Sequence, residues 1–267
     1  MSAFVLEAAD VSVRFGGLLA VDAVSATFRA GERVGIIGPN GAGKTTFFNA
    51  LSGVQALTAG RIRIGNEDLT GARPHRFARA GVARTFQTPR VFAGLSVAAN
   101  VAFGREFAGR ARAVGALAGR ASPESESRDR DRADGGLAGD VGALLDRLGL
   151  FDQADRPAAD LTPSQQRLLE IGMALATRPR ILLLDEVAAG LTEAELAQTA
   201  ILIRKLGDEF GLTVIWIEHA VTTLLRHVDR VIVLHQGRTL ADGAPADVVR
   251  DRGVIDAYLG DEMAEAT

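Results

Sequence analysis

The feature that most constrains this chain is a glycine-rich segment between a short apolar run and a stretch of helical character. Residues 38–45 read Gly-Pro-Asn-Gly-Ala-Gly-Lys-Thr, which fits the P-loop pattern of glycine, four residues, then Gly-Lys-Ser/Thr. We expect a buried strand at Arg33–Gly38 and a helix at Lys44–Leu51. A glycine loop in this position wraps backbone N–H groups around phosphate at the positive end of a helix. The segment therefore predicts a phosphate-binding site in an α/β fold.

Two acidic residues far along the chain supply a second half for this site. The apolar run Ile181–Leu184 predicts a buried strand that delivers Asp185 to its carboxyl end, where open α/β sheets bind ligands. We expect Lys44 to reach the β- and γ-phosphates and the Thr45 hydroxyl to ligate Mg²⁺. Asp185 would hold the same ion through water, and Glu186 would polarise the attacking water as general base. On its own, an apolar run that ends in an acidic residue is common and does not indicate a function. Together with a P-loop earlier in the chain, it predicts nucleotide hydrolysis.

Composition narrows the function classes. The chain has 267 residues, 47% of them apolar and 24% charged, with a net charge of −3 and no cysteine. Disulfides, thiolate metal sites and thiol catalysis are therefore excluded, and the charge favours no broad nucleic-acid footprint. The sequence start lacks the pattern of a signal peptide, and we expect no apolar stretch long enough to cross a bilayer. Any membrane role is expected to be peripheral.

Strand and helix signals alternate along the chain and predict a largely parallel sheet flanked by helices. Thr162 and Gln165 form a capping box, with Pro163 in the first turn, that opens a long helix. Residues 122–134 are polar and of mixed charge, so an exposed loop is expected there. The remaining predicted strands are Val5–Phe15, Val21–Phe28, Arg61–Ile64, Thr213–Ile217 and Arg230–Leu234; the remaining predicted helices are Val97–Gly119, Val141–Leu150, Glu193–Leu206 and one near Asp247–Arg250.

With these motifs in place, the chain resembles the nucleotide-binding subunits of ABC transporters over nearly its whole length. Within that family it is most similar to the subunits that serve branched-chain amino-acid importers. The segments that carry this second likeness are Phe15–Val21, Arg84–Gln87, Gln165–Ile171, Gly243–Val248, Tyr258–Gly260 and a long insert after Gly104.

The resemblance implies a fold and a division of the chain. The fold is a P-loop NTPase (RecA-like) core with a mostly parallel sheet, an antiparallel β edge and an α-helical subdomain, all within one domain over residues 4–250. Residues 1–95 would form the first part of the core. Residues 96–177 would form the helical subdomain, with a polar insert at about 105–140, and residues 178–267 would complete the core.

The resemblance also assigns residues that the motifs alone do not. Gln87 would touch Mg²⁺ and water, His219 the γ-phosphate, and Phe15 would stack on adenine. Taken singly, Gln87 could be a loop glutamine, His219 a surface histidine and Phe15 a core side chain. The expected catalytic residues are Glu186, His219 and Gln87, and the expected Mg²⁺ ligands are Thr45, Gln87 and Asp185. The expected ATP-binding residues are Phe15, Gly38, Pro39, Asn40, Gly41, Ala42, Gly43, Lys44, Thr45 and Thr46.

The loop that would close over a partner's ATP departs from the family pattern. The usual signature Leu-Ser-Gly-Gly-Gln is replaced by Leu161, Thr162, Pro163, Ser164 and Gln165. Pro163 removes one N–H donor, and Ser164 adds a Cβ where glycine normally lets the backbone approach phosphate. Val187 and Thr192 also depart from the usual residues. We expect an asymmetric pair with a different ATPase subunit; a homodimer of reduced activity is the alternative.

The expected function is that of an ATP-hydrolysing subunit that powers import of branched-chain or related amino acids. Its cofactors would be ATP and Mg²⁺, and its partners membrane permease subunits, a second ATPase subunit and, indirectly, a periplasmic binding protein, with no nucleic acid. The expected location is cytoplasmic, peripheral on the inner face of the cell membrane. The alternatives are a soluble ABC-type ATPase that acts on nucleic acid or ribosomes and a regulatory ATP-binding module with weak turnover.

Overall fold

The structure of the protein is a computed structural model, and it describes residues 4–106, 140–218 and 220–265. Two sheets organise the described residues. The strands are, in chain order, β1 (Phe4–Phe15), β2 (Leu18–Arg29), β3 (Arg33–Ile37), β4 (Ala59–Ile64), β5 (Glu67–Asp68), β6 (Val82–Arg84), β7 (Ile181–Asp185), β8 (Thr213–Ile217), β9 (Arg230–His235) and β10 (Arg238–Gly243). Residues on β7 and β8 are all buried, as expected for central strands of a parallel sheet.

Helices connect these strands. They are α1 (Lys44–Leu51), α2 (Pro74–Arg79), α3 (residues 97–106), α4 (Val141–Arg147), α5 (Pro163–Ala176), α6 (Glu193–Phe210), α7 (Val221–Leu225), α8 (Pro245–Val248) and α9 (Arg252–Glu265). Short 3₁₀ turns lie at Phe151–Gln153 and Ala158–Asp160. In the part of the chain that the structure describes, no helix has the length and apolar character needed to span a bilayer.

The larger sheet has the strand order β10-β9-β3-β8-β7-β6, and the smaller one β2-β1-β4-β5. The β9-β3, β3-β8, β8-β7 and β7-β6 pairs are parallel, while β10 pairs antiparallel with β9. The smaller sheet is antiparallel throughout. Because β3 and β7 both pair in parallel with β8, the carboxyl ends of the P-loop strand and of the Asp185 strand lie along the same side of the sheet, as in nucleotide-binding α/β sheets.

Two hydrophobic clusters cover the two faces of the larger sheet. One lies between the antiparallel sheet, α1 and side chains such as Ile36 and Ile215. The other contains Trp216 and Leu184 from the opposite face, together with residues of α4, α5 and α6. Successive residues of a strand point to opposite faces, so each central strand supplies both clusters.

The fold class agrees with the expectation, but several elements differ from it. The strands β5, β6 and β10 and the helices α2, α7 and α9 were not predicted, and α4 ends at Arg147, before the expected Leu150. A β-strand of three residues is too short to show alternation, which explains why β6 escaped the sequence pattern. The final helix near Asp247–Arg250 is a single turn at Pro245–Val248, and the longer α9 follows it. The expected insert at about 105–140, including residues 122–134, lies almost wholly outside the described residues.

Candidate active site

The P-loop joins β3 to α1 and adopts a backbone that only glycine permits at two points. Gly38 and Gly43 have φ values of 148° and 93°. A Cβ at Gly38 would stand 2.0 Å from the Leu234 carbonyl oxygen, and one at Gly43 would stand 2.3 Å from that of Ala20. Because these neighbours are backbone atoms, no rotamer change could make room for a side chain. The loop is thus packed between β9 and β2.

Lys44 is held over this loop. Lys44 is the first residue of α1 and is only 6% exposed. Its Nζ atom donates to the Gly38 carbonyl oxygen at 2.6 Å and to that of Pro39 at 2.8 Å. Thr45 is exposed in the first helical turn, which begins after Gly43 and so has no side chain to cap it. An ammonium group and uncapped helix N–H groups together make this end of the loop attractive to an anion.

Sheet register places the two sequence motifs at the same level. Ile36 of β3 and Asp185 of β7 both pair with Ile217 of the intervening strand β8. Neighbouring strands lie about 4.8 Å apart, so Ile36 and Asp185 are separated by about 10 Å across the sheet. Gly38 begins the P-loop two residues after Ile36. The motifs, far apart in sequence, therefore share one edge of the sheet.

Asp185 is buried and paired with a basic residue that sequence reasoning did not assign. The Arg84 Nη2 atom lies 2.6 Å from the Asp185 Oδ2 atom, and the two side chains are 11% and 6% exposed. The second guanidinium nitrogen of Arg84 donates to Asn49 at 2.6 Å and to Ser52 at 3.0 Å, both in or just after α1. Arg84 also lies 5.0 Å from the ring centre of Phe48. This guanidinium thus ties β6 to β7 and to the P-loop helix.

Glu186 and Gln87 meet at the same edge. The Gln87 side-chain amide donates to the Glu186 Oε2 atom at 2.6 Å. Glu186 has a φ of 45°, a left-handed backbone that is uncommon for a residue with a Cβ, and its N–H donates to the Ile217 carbonyl at 3.0 Å. Such strain is found at functional sites, where surrounding contacts maintain it. The residue expected to act as base is therefore held by the hydrogen bond from Gln87 to its carboxylate and by its own backbone hydrogen bond to Ile217.

The loop that carries Gln87 is held by two buried side chains of α5. Arg167 donates to the carbonyl oxygens of Phe86 and Gln87. Glu170 accepts from the N–H groups of Phe86 at 3.2 Å and of Arg90 at 3.0 Å. Burial raises the pKa of Glu170, and the hydrogen bonds and the Arg167 charge oppose that rise. Sequence reasoning missed Arg167 and Glu170, because their partners are about 80 residues away in sequence.

The signature segment at 161–165 is well formed as the start of a helix. Thr162 caps α5, its hydroxyl accepts from the Gln165 N–H at 3.2 Å, and the Gln165 side chain accepts from the Thr162 N–H at 3.1 Å. Pro163 occupies the first turn, as predicted. Hydrogen bonds from Thr192, and a weaker one from Ser164, hold the pKa of Glu195 below its usual value. Ser164 thus faces the start of α6.

Phe15 lies on the hairpin that borders the P-loop. It is 49% exposed and pairs with Leu18 at the turn between β1 and β2. Two residues further along β2, the Ala20 carbonyl lies against Gly43. The alternative that Phe15 is a core side chain is therefore wrong. Its side chain is exposed rather than part of the interior, on a hairpin whose Ala20 carbonyl approaches the P-loop.

The described residues bring together Lys44, Thr45, Asp185, Glu186 and Gln87 along one edge of the sheet, with Phe15 to one side of the P-loop. His219, expected to contact the γ-phosphate, lies outside the described residues. Its neighbour Glu218 is 2% exposed and accepts from the Ala188 N–H at 2.6 Å, in the loop after Glu186.

Comparison with known proteins agrees with this geometry. Residues 21–189 match the ABC transporter family, and residues 238–264 match a branched-chain amino acid ATP-binding cassette transporter family. The high-affinity branched-chain amino acid transport ATP-binding protein BraF of Pseudomonas aeruginosa is 40% identical over 98% of this chain and 100% of its own length. The corresponding protein LivG of Escherichia coli is 38% identical over the same shares.

Solved structures give the same result. A crystal structure of the ADP conformation of an ATP-binding cassette of an ABC transporter has a TM-score of 0.77 and 28% identity, covering 97% of this chain and 100% of that one. A nucleotide-free ATP-binding cassette has a TM-score of 0.76, also at 28% identity, covering 96% and 98%. The expected P-loop NTPase fold is confirmed. The chain therefore belongs to the ABC transporter ATPase family and is an ATP-binding subunit homologous to those of branched-chain amino-acid transport systems.

Proposed function

We propose that this chain hydrolyses ATP with Glu186 as general base, while Lys44 and the P-loop N–H groups bind the phosphates. The observation that carries this proposal is the 2.6 Å hydrogen bond from Gln87 to Glu186 at the edge where the P-loop and Asp185 meet. A general base must be held within reach of the water that it activates. Gln87 fixes the Glu186 carboxylate at this edge.

Mg²⁺ fits the donor groups at this edge. Thr45, Gln87 and Asp185 offer a hydroxyl, an amide oxygen and a carboxylate, which are the hard oxygen ligands that Mg²⁺ prefers. Arg84 occupies the Oδ2 atom of Asp185, so we expect the Oδ1 atom to hold the ion through water. A bound Mg²⁺ would offset the negative charge of the phosphates. His219 would add a contact to the γ-phosphate.

Replacing Glu186 by glutamine tests the hydrolysis. The change keeps the shape of the side chain and removes the base, so ATP binding should persist while turnover falls by about 10²–10⁴-fold. Glu193→Gln, an exposed glutamate at the start of α6, is the matched control and should leave turnover unchanged. Equal ATPase rates for the wild type and Glu186→Gln would remove the assignment.

Phe15 is proposed to stack on the adenine ring. Its side chain is exposed on the hairpin whose Ala20 carbonyl lies against Gly43 of the P-loop, and base–aromatic stacking contributes about 1–3 kcal/mol per base. Phe15→Ala should therefore weaken ATP binding by about 10-fold or more and leave triphosphate binding unchanged. Titration with ATP and with inorganic triphosphate separates the two; equal loss for both ligands would contradict stacking.

The work of hydrolysis is proposed to drive import of branched-chain or related amino acids through a separate permease at the inner face of the cell membrane, with a periplasmic binding protein involved indirectly. Support comes from the similarity to branched-chain amino acid transport ATP-binding proteins and from exposed apolar side chains in the loop after Gln87 and on α3. Phe92, Leu95 and Phe103 are 43%, 42% and 50% exposed, and the Phe92 and Phe103 rings pack edge-on at 4.8 Å. Phe92→Asp should abolish co-purification with the permease and preserve ATP binding; retained co-purification would contradict docking there.

The partner ATPase is proposed to be a different subunit. Everything that the chain offers its own nucleotide follows the family pattern, while the signature that it would offer a partner carries Pro163 and Ser164. Loss of one aligned phosphate donor costs about 10²–10³ in rate by analogy with oxyanion-hole donors. Ser164→Gly separates the pairings: a large rise in turnover of the isolated chain would show that homodimer sites operate and would contradict the asymmetric pair.

A further inference from the structure

The segment between β6 and α3 has little regular structure, yet its backbone polar groups need partners. Four of these groups are satisfied by only two side chains. Arg167 bonds the carbonyl oxygens of Phe86 and Gln87, and Glu170 bonds the N–H groups of Phe86 and Arg90. Leaving such groups unpaired in a part-buried position would be costly. The conformation of this loop therefore depends on α5.

Arg167 and Glu170 are placed to act as one unit. They are three residues apart on α5, so they share one helix face, and their Nη1 and Oε2 atoms are 3.0 Å apart. The two side chains are 1% and 5% exposed. A planar guanidinium can bond two carbonyl oxygens and a carboxylate at once, which an ammonium group cannot do. Each charge is thus neutralised by the other, while the two terminal nitrogens of Arg167 and the Oε1 atom of Glu170 reach the loop. Among the described residues the buried Nε atom of Arg167 has no hydrogen-bond partner.

We infer that Arg167 and Glu170 are positioning residues that fix Gln87 against Glu186 and tie it to the helix that begins at the signature segment. This inference rests on the proposed hydrolytic role of Glu186. The connection runs from Thr162 at the start of α5, through Arg167, to the Gln87 backbone and then to Glu186. A displacement of α5 relative to the sheet would pull on the Gln87 backbone directly. The α5 helix thereby links the surface facing a partner subunit to the chain's own catalytic edge.

The test replaces both charges at once, so that no lone charge remains buried. Arg167→Leu/Glu170→Leu should fold, because a buried ion pair can be replaced by apolar residues with little loss of stability. Amide hydrogen exchange of the Phe86 and Arg90 N–H groups should then be about 10–100-fold faster, as expected for lost hydrogen bonds to a charged group. The matched control is Arg147→Leu/Glu209→Leu, a 2.8 Å pair between α4 and α6, which should leave this exchange unchanged.

Kinetics separate positioning from a merely structural role. The double variant should lose about 100-fold in kcat, because a misplaced Gln87 misorients Glu186, whereas KM for ATP should stay the same, because Lys44 and the P-loop are untouched. Arg167→Lys keeps the charge beside Glu170 but cannot reach both carbonyl oxygens. It should preserve the slow exchange of the Arg90 N–H and lower kcat by about 10-fold.

Several results would overturn the inference. Unchanged exchange at Phe86 and Arg90 in the double variant would show that the pair does not hold the loop. Faster exchange with unchanged kcat would show that the loop position does not matter for Gln87. If the double variant does not fold, an Arg167→Lys enzyme with wild-type kcat would contradict the role of Arg167. Failure of the proposed hydrolysis would instead appear in the wild type, as equal rates with Glu186→Gln, and would leave the exchange result standing.

Discussion

Arg84→Met should lower the free energy of unfolding by about 3–5 kcal/mol, because it leaves the Asp185 carboxylate buried without its counter-charge. The two side chains are 11% and 6% exposed, and their closest nitrogen and oxygen atoms are 2.6 Å apart. Methionine retains the apolar contact with the Phe48 ring but removes the hydrogen bonds to Asp185, Asn49 and Ser52. The loss thus combines one uncompensated charge with two acceptors that lose their partner.

A second substitution separates the cost of the uncompensated Asp185 charge from the cost of lost packing. In Arg84→Met/Asp185→Asn the buried charge is gone, so the double variant should recover at least about 2 kcal/mol relative to Arg84→Met. For a chain of this size, a loss of 3–5 kcal/mol corresponds to a fall in melting temperature of about 6–20 °C. Urea unfolding and calorimetry should be run without nucleotide and with a chelator, so that no bound cation substitutes for the guanidinium.

A second ion pair in the chain has the same separation but is more exposed, and it serves as the control. Arg238 and Asp22 also approach to 2.6 Å, but the Arg238 side chain is 75% exposed. Arg238→Met should therefore cost no more than about 1 kcal/mol, since solvent screens an exposed pair. Equal losses for Arg84→Met and Arg238→Met, or no recovery on adding Asp185→Asn, would refute the argument that burial makes the Arg84 pair important.

Two further predictions concern the P-loop and acid stability. Gly43→Ala should weaken binding of a fluorescent ATP analogue by at least about 10-fold, because its Cβ would stand 2.3 Å from the Ala20 carbonyl oxygen and a φ of 93° adds strain. The control is Gly71→Ala, which has a φ of 69° and open space around it and should bind as the wild type does. Equal binding by both variants would contradict the steric argument. Burial alone would raise the pKa of Asp229, but hydrogen bonds from Arg33 outweigh it and hold that pKa below 3.8, so the stability that Asp229 contributes is present above pH 3.8 and lost as pH falls through the lowered pKa. Asp229→Asn should therefore lower the free energy of unfolding by up to about 1 kcal/mol at pH 7. The difference in unfolding free energy between variant and wild type should shrink in acid. Urea unfolding that shows a difference independent of pH would contradict this.

Much of the fold could be predicted from local sequence patterns. The capping box of Thr162 and Gln165 depends only on residues three apart, and the structure contains it as predicted. The P-loop likewise lies within eight residues, so its strand, loop and helix could be read directly from the sequence. Patterns of this kind succeed because the interactions behind them are local in the chain.

Long-range contacts could not be predicted in the same way. Arg84 stands in a segment that was noted for its family likeness, but its carboxylate partner is Asp185, 101 residues later. Arg167 and Glu170 look like ordinary polar positions on a helix until the loop near residue 86 is packed against them. A buried charge is recognisable only once its surroundings are known, because the same residue types mostly lie on solvated surfaces.

The same contacts bear on the altered signature segment. Pro163 lies in the first turn of α5, where its missing N–H does not disturb the helix, and Thr162 caps that helix fully. The departure from the family pattern is therefore no defect of folding. In the proposed pair it would change what α5 offers to a partner's phosphate, while Arg167 still bonds the backbone of Gln87. In the proposed pair of unlike subunits, α5 of this chain would still hold Gln87 even where its signature contributes little to the partner's ATP. Ser164→Gly and Arg167→Lys should accordingly act on different sites: the first on a nucleotide bound by a partner, the second on the nucleotide bound by this chain.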